Sequence, residues 1–263
     1  MTIALHREGS GPPLVLLHGI GHHRQAWRPV IDRLAGSFDV IACDLPGFGE
    51  SPPPAAGTDA TIPAYVDAFA SLFGELGLER PHVAGNSMGG AIALELARRG
   101  GVASAAAFSP AGFWTAAERR WCQATSLGAV AYLPKPLGPP VARLARTRPG
   151  RVALLGQLFG HPTRVPADEA AATLRDAVAA PAFRAALAAF ERYRYDGAPP
   201  AADVPVTVAW GRYDWLLPYR LQAPRARRLL PGARHVAIGT GHVPYFDDPD
   251  AVAAVIRATA AAA

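Results

Sequence analysis

The sequence predicts an α/β fold: a mostly parallel sheet flanked by helices, with a helical insertion near its middle. Three patterns carry that expectation. Across residues 1–110, short β-rich apolar runs alternate with stretches whose apolar residues recur every three or four positions. Residues 111–200 are rich in Ala and Arg, read as helical and contain no convincing strand. Strand-like runs then return before a terminal helix. The two flanking parts hold too few strands to fold alone and are expected to share one sheet.

In chain order, the expected strands are Leu14–Leu17, Val40–Ala42, Val83–Ala84, Ala105–Phe108, Val204–Ala209 and His235–Ile238. Helical spacing covers Val30–Leu34, Ile62–Leu76, Ala91–Arg98, Leu221–Leu230 and Ala251–Ala262. The breaker cluster "LPKPLGPP" (133–140) interrupts the insertion, and "DGAPPAADVP" (196–205) reads as the linker back into the sheet. The expected division is a core of 1–110 and 201–263 with an inserted helical segment of 111–200.

The totals exclude several classes. Half of the 263 residues are apolar and 18% are charged, which is the balance of a core-forming chain. No apolar run reaches the roughly 18 residues of a spanning helix, and "MTIALHREGSGPP" lacks the basic and apolar regions of a secretory signal. A cytoplasmic protein without a membrane partner is therefore expected. Two cysteines, Cys43 and Cys122, are too few for a disulfide framework and lack metal-type spacing; Cys43 is expected to be a small buried hydrophobe. The net charge of +5 is carried almost wholly by arginine, scattered among acids rather than gathered in a tract with aromatics. That pattern points to a solvated basic surface and not to a nucleic-acid partner.

The most informative stretch is "HVAGNSMGGAIAL" (82–94), where an expected strand meets an expected helix at Gly85-Asn86-Ser87-Met88-Gly89. A serine at such a turn is pushed out at the end of the sheet, glycines on either side avoid collisions, and the helix aims its first amides at any anion formed beside it. A serine nucleophile needs a base, and the base an orienting acid. His242, in "GTGHVPYFDDP" (239–249) between the last expected strand and the terminal helix, is the candidate base. Asp214, in "WGRYDWLLP" (210–218), is the candidate acid, one strand–helix–strand step before it. Asp247 and Asp248 are expected to be helix caps. "FSPAG" (108–112), the other place for an acid, holds no carboxylate. A second small-residue loop, His18-Gly19-Ile20-Gly21, offers the Ile20 amide to pair with that of Met88 around a developing oxyanion. His18 is expected to tie this loop by hydrogen bonds. His18, His22 and His23 raise the question of a metal, but no carboxylate follows them at ligand spacing, so neither metal nor organic cofactor is expected.

Taken together, His18-Gly19 after a strand, "DLPGFGES" (44–51), "GNSMGG" (85–90), "WGRYDWLLP" and "HVPYFDDP" (242–249) resemble, in order, the motifs of the α/β-hydrolase superfamily. The likeness is to its cap-bearing esterase and carbon–carbon hydrolase branch, and it spans the chain outside the insertion. It implies the α/β-hydrolase fold, with Ser87 as nucleophile, Asp214 as acid, His242 as base, Ile20 and Met88 as oxyanion amides, and 111–200 as the lid. Relatives that open haloalkanes and epoxides carry aspartate at the serine position, so carbonyl chemistry on a small-molecule substrate is implied here. The expected reaction is hydrolysis of a carboxylic ester, thioester or lactone. Relatives that cleave diketone acids usually have a longer loop after His-Gly and an aromatic residue after the catalytic histidine, where this chain has "HGIGHHRQAW" (18–27) and Val243. Arg192 and Arg194 are the cap cations that a diketone acid would use. A receptor that keeps the same three side chains but turns over little is the reading from another class. Among the cap aromatics, Trp114, Trp121, Phe159 and Phe190 are the expected lining of an acyl pocket.

Overall fold

The computed structural model describes residues 2–54 and 59–263. Its seven strands form one sheet in the order β1-β3-β2-β4-β5-β6-β7. They span Leu5–Gly9 (β1), Pro13–Leu17 (β2), Asp39–Cys43 (β3), His82–Asn86 (β4), Ser104–Phe108 (β5), Val206–Gly211 (β6) and Arg234–Ile238 (β7). All pairs are parallel except β1 with β3. The six expected strands are present to within a residue or two. β6 begins at Val206 and not Val204 because Pro205 has no N–H for the ladder; its carbonyl still accepts from the Ala105 amide at 3.0 Å. β1 was not expected: "LHREG" is a half-exposed edge strand whose polar residues hide any apolar alternation.

Alternate residues on each strand go to opposite faces of the sheet. Val15, Leu17, Ile41 and Cys43 join one apolar cluster with helices α2 (Ile62–Glu75) and α3 (Met88–Arg98). Leu14, Leu16, Val40 and Ala42 join the other with α1 (Arg28–Leu34) and the terminal helix Pro249–Ala260. Cys43 is fully buried on the α2–α3 side, which pushes its thiol up to about 12. Between β5 and β6 the chain inserts six helices: α4 (Ala116–Ala124), α5 (Ser126–Ala131), α6 (Gly138–Ala145), α7 (Arg148–Leu155), α8 (Ala167–Ala179) and α9 (Phe183–Ala189). α10 (Tyr219–Leu229) connects β6 to β7, and the terminal helix is α11. Among the described residues no helix is long and apolar enough to cross a membrane.

The step from β4 into α3 is among the tightest places in the described structure. A Cβ on Gly85 would lie 2.1 Å from the Gly89 carbonyl oxygen, and one on Gly89 would lie 2.3 Å from the Leu17 oxygen and 2.6 Å from that of His18. Only glycine lets the helix start so close to the strand ends. Between them Ser87 takes φ 55° and ψ −113°, a conformation costing on the order of 1–3 kcal/mol for an L-residue. Its amide donates to the Phe108 carbonyl at 2.9 Å, and its carbonyl accepts from the Ala91 and Ala111 amides at 3.0 Å each, so β5, the loop after it and α3 hold the strained turn. Gly89→Ala puts a methyl group against two backbone oxygens and is expected to destabilise the fold by about 1–3 kcal/mol. A urea unfolding midpoint equal to that of the unaltered protein contradicts this packing.

Candidate active site

Three loops at the carboxyl ends of β2, β4 and β6, and a fourth after β7, converge on one cavity of about 390 Å³. Ser87 and His242 both line it, as do Ile20 and Asn86. The His242 Nδ1–H donates to Asp214 Oδ2 at 2.9 Å, with both side chains buried. Asp214 Oδ1 in turn accepts from the Leu216 and Leu217 amides at 3.0 and 2.7 Å, which fixes the carboxylate and spreads its charge over three donors. With Nδ1 committed to the acid, Nε2 is the ring atom left for a proton from elsewhere. Ser87 and His242 share the cavity wall without a direct hydrogen bond in this structure. A serine hydroxyl turns about one bond, and such contacts commonly tighten only when substrate is bound.

The close approach of glycines also sets the acid and base loops together. A Cβ on Gly211, the last residue of β6, would lie 2.0 Å from the Gly241 oxygen. The Asp214 loop and the His242 loop thus meet backbone to backbone. Asn86 Nδ2 donates to the His242 carbonyl at 2.8 Å and to the Phe108 carbonyl at 3.1 Å, so the residue before the serine grips the residue expected to be its base. Nothing in the sequence pattern singled out Asn86, although it lies inside the Gly-x-Ser-x-Gly stretch.

Asp247 is a correction to the helix-cap expectation. Asp248 caps α11, accepting from the Ala251 amide at 2.9 Å. The Asp247 carboxylate is buried and instead accepts from the amides of Gly241 at 2.7 Å, Gly160 at 2.8 Å and His161 at 2.9 Å. It points back from the start of α11 because two loops, one from the insertion and one carrying His242, bring three otherwise unpaired amides to it.

The His18 loop behaves as expected. The Leu45 amide donates to His18 Nε2 at 2.9 Å, so Nδ1 carries the proton and meets the Gly19 oxygen at 2.7 Å. Complete burial pushes this imidazole down to about 3 and keeps it neutral. In "DLPGFGES", the buried Asp44 accepts from the amides of Arg24 at 2.6 Å and Glu50 at 2.9 Å and pairs with the Arg24 guanidinium, tying the following loop down. Ile20 sits on the cavity wall, and among the described residues its amide has no acceptor; Met88 opens α3, so its amide has none within the helix. A Cβ on Gly19 would lie 3.1 Å from Ser87 Cβ, which sets this loop directly beside the serine.

The expected pocket aromatics are not at the cavity. Trp114, Trp121, Phe159 and Phe190 are all absent from its lining among the described residues. Trp114 packs on Phe190 and donates its Nε1–H to the Tyr193 carbonyl at 3.1 Å, joining the two ends of the insertion. Phe159 packs against Phe246, and Trp121 is 52% exposed with its Nε1–H on the Trp215 carbonyl at 3.2 Å. These rings attach the inserted helices to the core, the place where their large flat surface is best buried. The cavity is walled instead by aliphatic side chains of α5–α8, among them Leu127, Val130, Val141, Leu154 and Leu174. Such residues fit an ordinary helix-packing pattern in the sequence, and nothing there marks which of their faces borders a void.

His22 also borders the cavity, and burial pushes its imidazole down to about 3. For the adjacent His23 burial alone lowers the value, but the Glu169 and Asp176 carboxylates hold it above the usual one.

A protein-family model described as the alpha/beta hydrolase fold matches residues 12–249. An uncharacterized protein of Mycobacterium tuberculosis is 32% identical over 92% of this chain and 73% of its own length. A 2-hydroxymuconate semialdehyde hydrolase of a Pseudomonas species is 42% identical, over 36% of this chain and 34% of its own. Among solved structures, a thermophilic esterase from Thermogutta terrifontis superposes with a TM-score of 0.70 at 26% identity, covering 97% of this chain and 92% of the esterase.

Asp247→Ala is expected to leave three amides at the joint of the insertion and the His242 loop without their acceptor. A loss of about 2–4 kcal/mol in unfolding free energy is expected, with a lower turnover number because Gly241 carries His242. Unchanged stability and turnover in denaturant and rate measurements contradict that role.

Proposed function

The chain belongs to the alpha/beta hydrolase family, and from that premise we propose that it is a serine hydrolase cleaving a carboxylic ester, thioester or lactone of a small, uncharged, largely apolar substrate. The observation that carries this reading is the cavity shared by Ser87 and His242: its walls are mostly aliphatic, with Phe183, Gln157 and Thr173 among them, and among the described residues hold no Lys, Arg, Asp or Glu. An acyl chain is stabilised there by burial, while an anionic group would enter without a partner.

In the proposed reaction, Ser87 Oγ attacks the carbonyl carbon and its proton passes to His242 Nε2. The Asp214 carboxylate, bonded to Nδ1, stabilises the imidazolium. The oxyanion is received by the Ile20 and Met88 amides, each such donor being worth on the order of 3 kcal/mol in the transition state. Collapse breaks the ester bond, the leaving group takes the proton from His242, and the acyl group stays on Ser87. Water, deprotonated by His242, then repeats the addition and frees the acid. No step calls for a metal or an organic cofactor. The inserted helices act as the lid, forming the acyl wall and keeping bulk water from the intermediate.

Cleavage of a diketone acid draws less support. Arg192 is exposed and pairs with Asp59 at 3.2 Å, Arg194 is exposed, and neither reaches the cavity wall. Val243 follows His242 and lines the cavity, where an aromatic residue is usual in diketone-acid relatives.

Ser87→Ala is expected to lower the turnover of p-nitrophenyl esters at least about a thousandfold, and Asp214→Asn to cause a loss of similar order, both with an unchanged circular dichroism spectrum. Ester turnover by Ser87→Ala at the unaltered rate sinks the proposal, and repeated turnover by the unaltered protein excludes a receptor that completes one slow cycle. A screen over graded acyl lengths and a diketone acid is expected to show esters hydrolysed and the diketone acid not. Val178→Phe, which fills part of the cavity, is expected to shift preference toward shorter acyl chains by about tenfold in kcat/KM; an unchanged acyl-length profile places the acyl group elsewhere.

A further inference from the structure

We propose that His22, His23 and Glu169, with Asp176 beside them, form a binding site for a divalent transition-metal ion of the Zn²⁺ type that fastens α8 to the loop carrying Ile20. His22 and His23 come from the loop after β2. Glu169 and Asp176 lie two turns apart on α8 and share a face. His22, His23 and Glu169 each offer a ligand atom, and the three atoms lie within 4.8 Å of one another. His23 Nε2 is 3.3 Å from Glu169 Oε1 and 3.6 Å from Asp176 Oδ2. Metal–ligand bonds of about 2.0–2.2 Å give a tetrahedral edge of about 3.4 Å, so the two His23–carboxylate separations match atoms around one ion, and His22 needs a shift of at most about 1.4 Å to complete the set.

The polar atoms here are unsatisfied in a way that asks for a cation. Both His22 nitrogens, His23 Nε2 and Glu169 Oε1 are buried without a hydrogen-bond partner among the described residues. His23 Nδ1 lies 2.9 Å from Gln25 Oε1, an acceptor, so Nδ1 carries a proton and Nε2 faces the two carboxylates. A metal-ligating histidine is usually oriented in this way, with its other N–H on an oxygen. Nε2 faces both carboxylate oxygens, so the position between them favours a positive charge, either a proton on Nε2 or a metal ion in its place. Two imidazoles and two carboxylates neutralise a divalent ion, and the mixed nitrogen and oxygen set suits Zn²⁺ better than Mg²⁺ or Ca²⁺, which take oxygen ligands. His23, Glu169 and Asp176 also wall an outward groove with Gln25 and Glu50, which gives an ion a path in. His22 stands on the catalytic cavity, so the ion would sit directly behind its wall.

The test uses the full chain, stripped with EDTA and titrated with Zn²⁺ by calorimetry and with Co²⁺ by visible absorption. One ion per chain is expected, with the spectrum of a four-coordinate Co²⁺ site and an unfolding midpoint that rises with Zn²⁺ concentration and not with Mg²⁺. His23→Asn and Glu169→Gln are expected to keep metal-free ester turnover and to weaken Zn²⁺ binding at least about tenfold. No saturable binding to the unaltered chain overturns the proposal and leaves His23 and Glu169 as a protonated ion pair. Binding that both variants retain in full belongs to another histidine and overturns it equally. If either variant does not fold, the Co²⁺ spectrum of the unaltered chain decides, since a six-coordinate signature alone is incompatible with this site.

Discussion

The candidate site depends on backbone packing against backbone. Where β4 turns into α3, and where β6 ends beside the His242 loop, the chain comes closer to itself than any side chain permits. Gly85 and Gly89 let the helix start against the ends of β2 and β4, and Gly211 and Gly241 bring the acid loop onto the base loop. The hydroxyl at 87, the imidazole at 242 and the carboxylate at 214 are then held by contacts that cannot expand or shrink to suit a new rotamer. The strain at Ser87 follows from the same constraint: β5, the loop after it and α3 supply three backbone hydrogen bonds to the serine, and together they outweigh the unfavourable φ.

This constraint explains why so much of the core was legible in the sequence. Glycines forced by close approach sit at fixed offsets from the residues they position, so a short string such as "GNSMGG" records a three-dimensional crowding. The parallel strands, buried on both faces, appear as short apolar runs for a similar reason. β1 was invisible because an edge strand with one solvated face needs no such run. Helical character across 111–200 was also legible, since Ala-rich spacing is a local property. What could not be read was which side of each inserted helix meets solvent, sheet or cavity. Trp114, Phe159 and Phe190 look like pocket residues by size, yet they pack the insertion onto its support, and Leu, Val and Ala line the void instead.

Carboxylates acting across long sequence separations form the other illegible class. Asp247 reads as a helix cap because it precedes a helix, but its acceptor capacity is used by amides of residues 160, 161 and 241. His22 and His23 read as loop histidines because no acid follows them nearby. Their acidic neighbours arrive from α8, almost 150 residues later. In both cases the carboxylate joins the inserted segment to the core, and the partner is chosen by the fold and not by any local pattern.

These joints divide the labour within the cavity. Its floor, with Ser87 and His242, comes from the sheet's loops, and its walls come almost wholly from α5–α8 and the segments joining them. Side chains on those helices can change in size without touching the glycine contacts that set Ser87, Asp214 and His242, so the two parts are separable in specificity. They are not separable in electrostatics. A largely apolar wall lowers the effective dielectric around the Ile20 and Met88 amides and around the buried Asp214–His242 pair, so in the proposed reaction a charge developing at the carbonyl would be felt more strongly than in water. The walls proposed to accept an acyl chain would therefore also strengthen the groups proposed to act on it, which gives a physical reason for facing a polar floor with a lining that holds no Lys, Arg, Asp or Glu among the described residues.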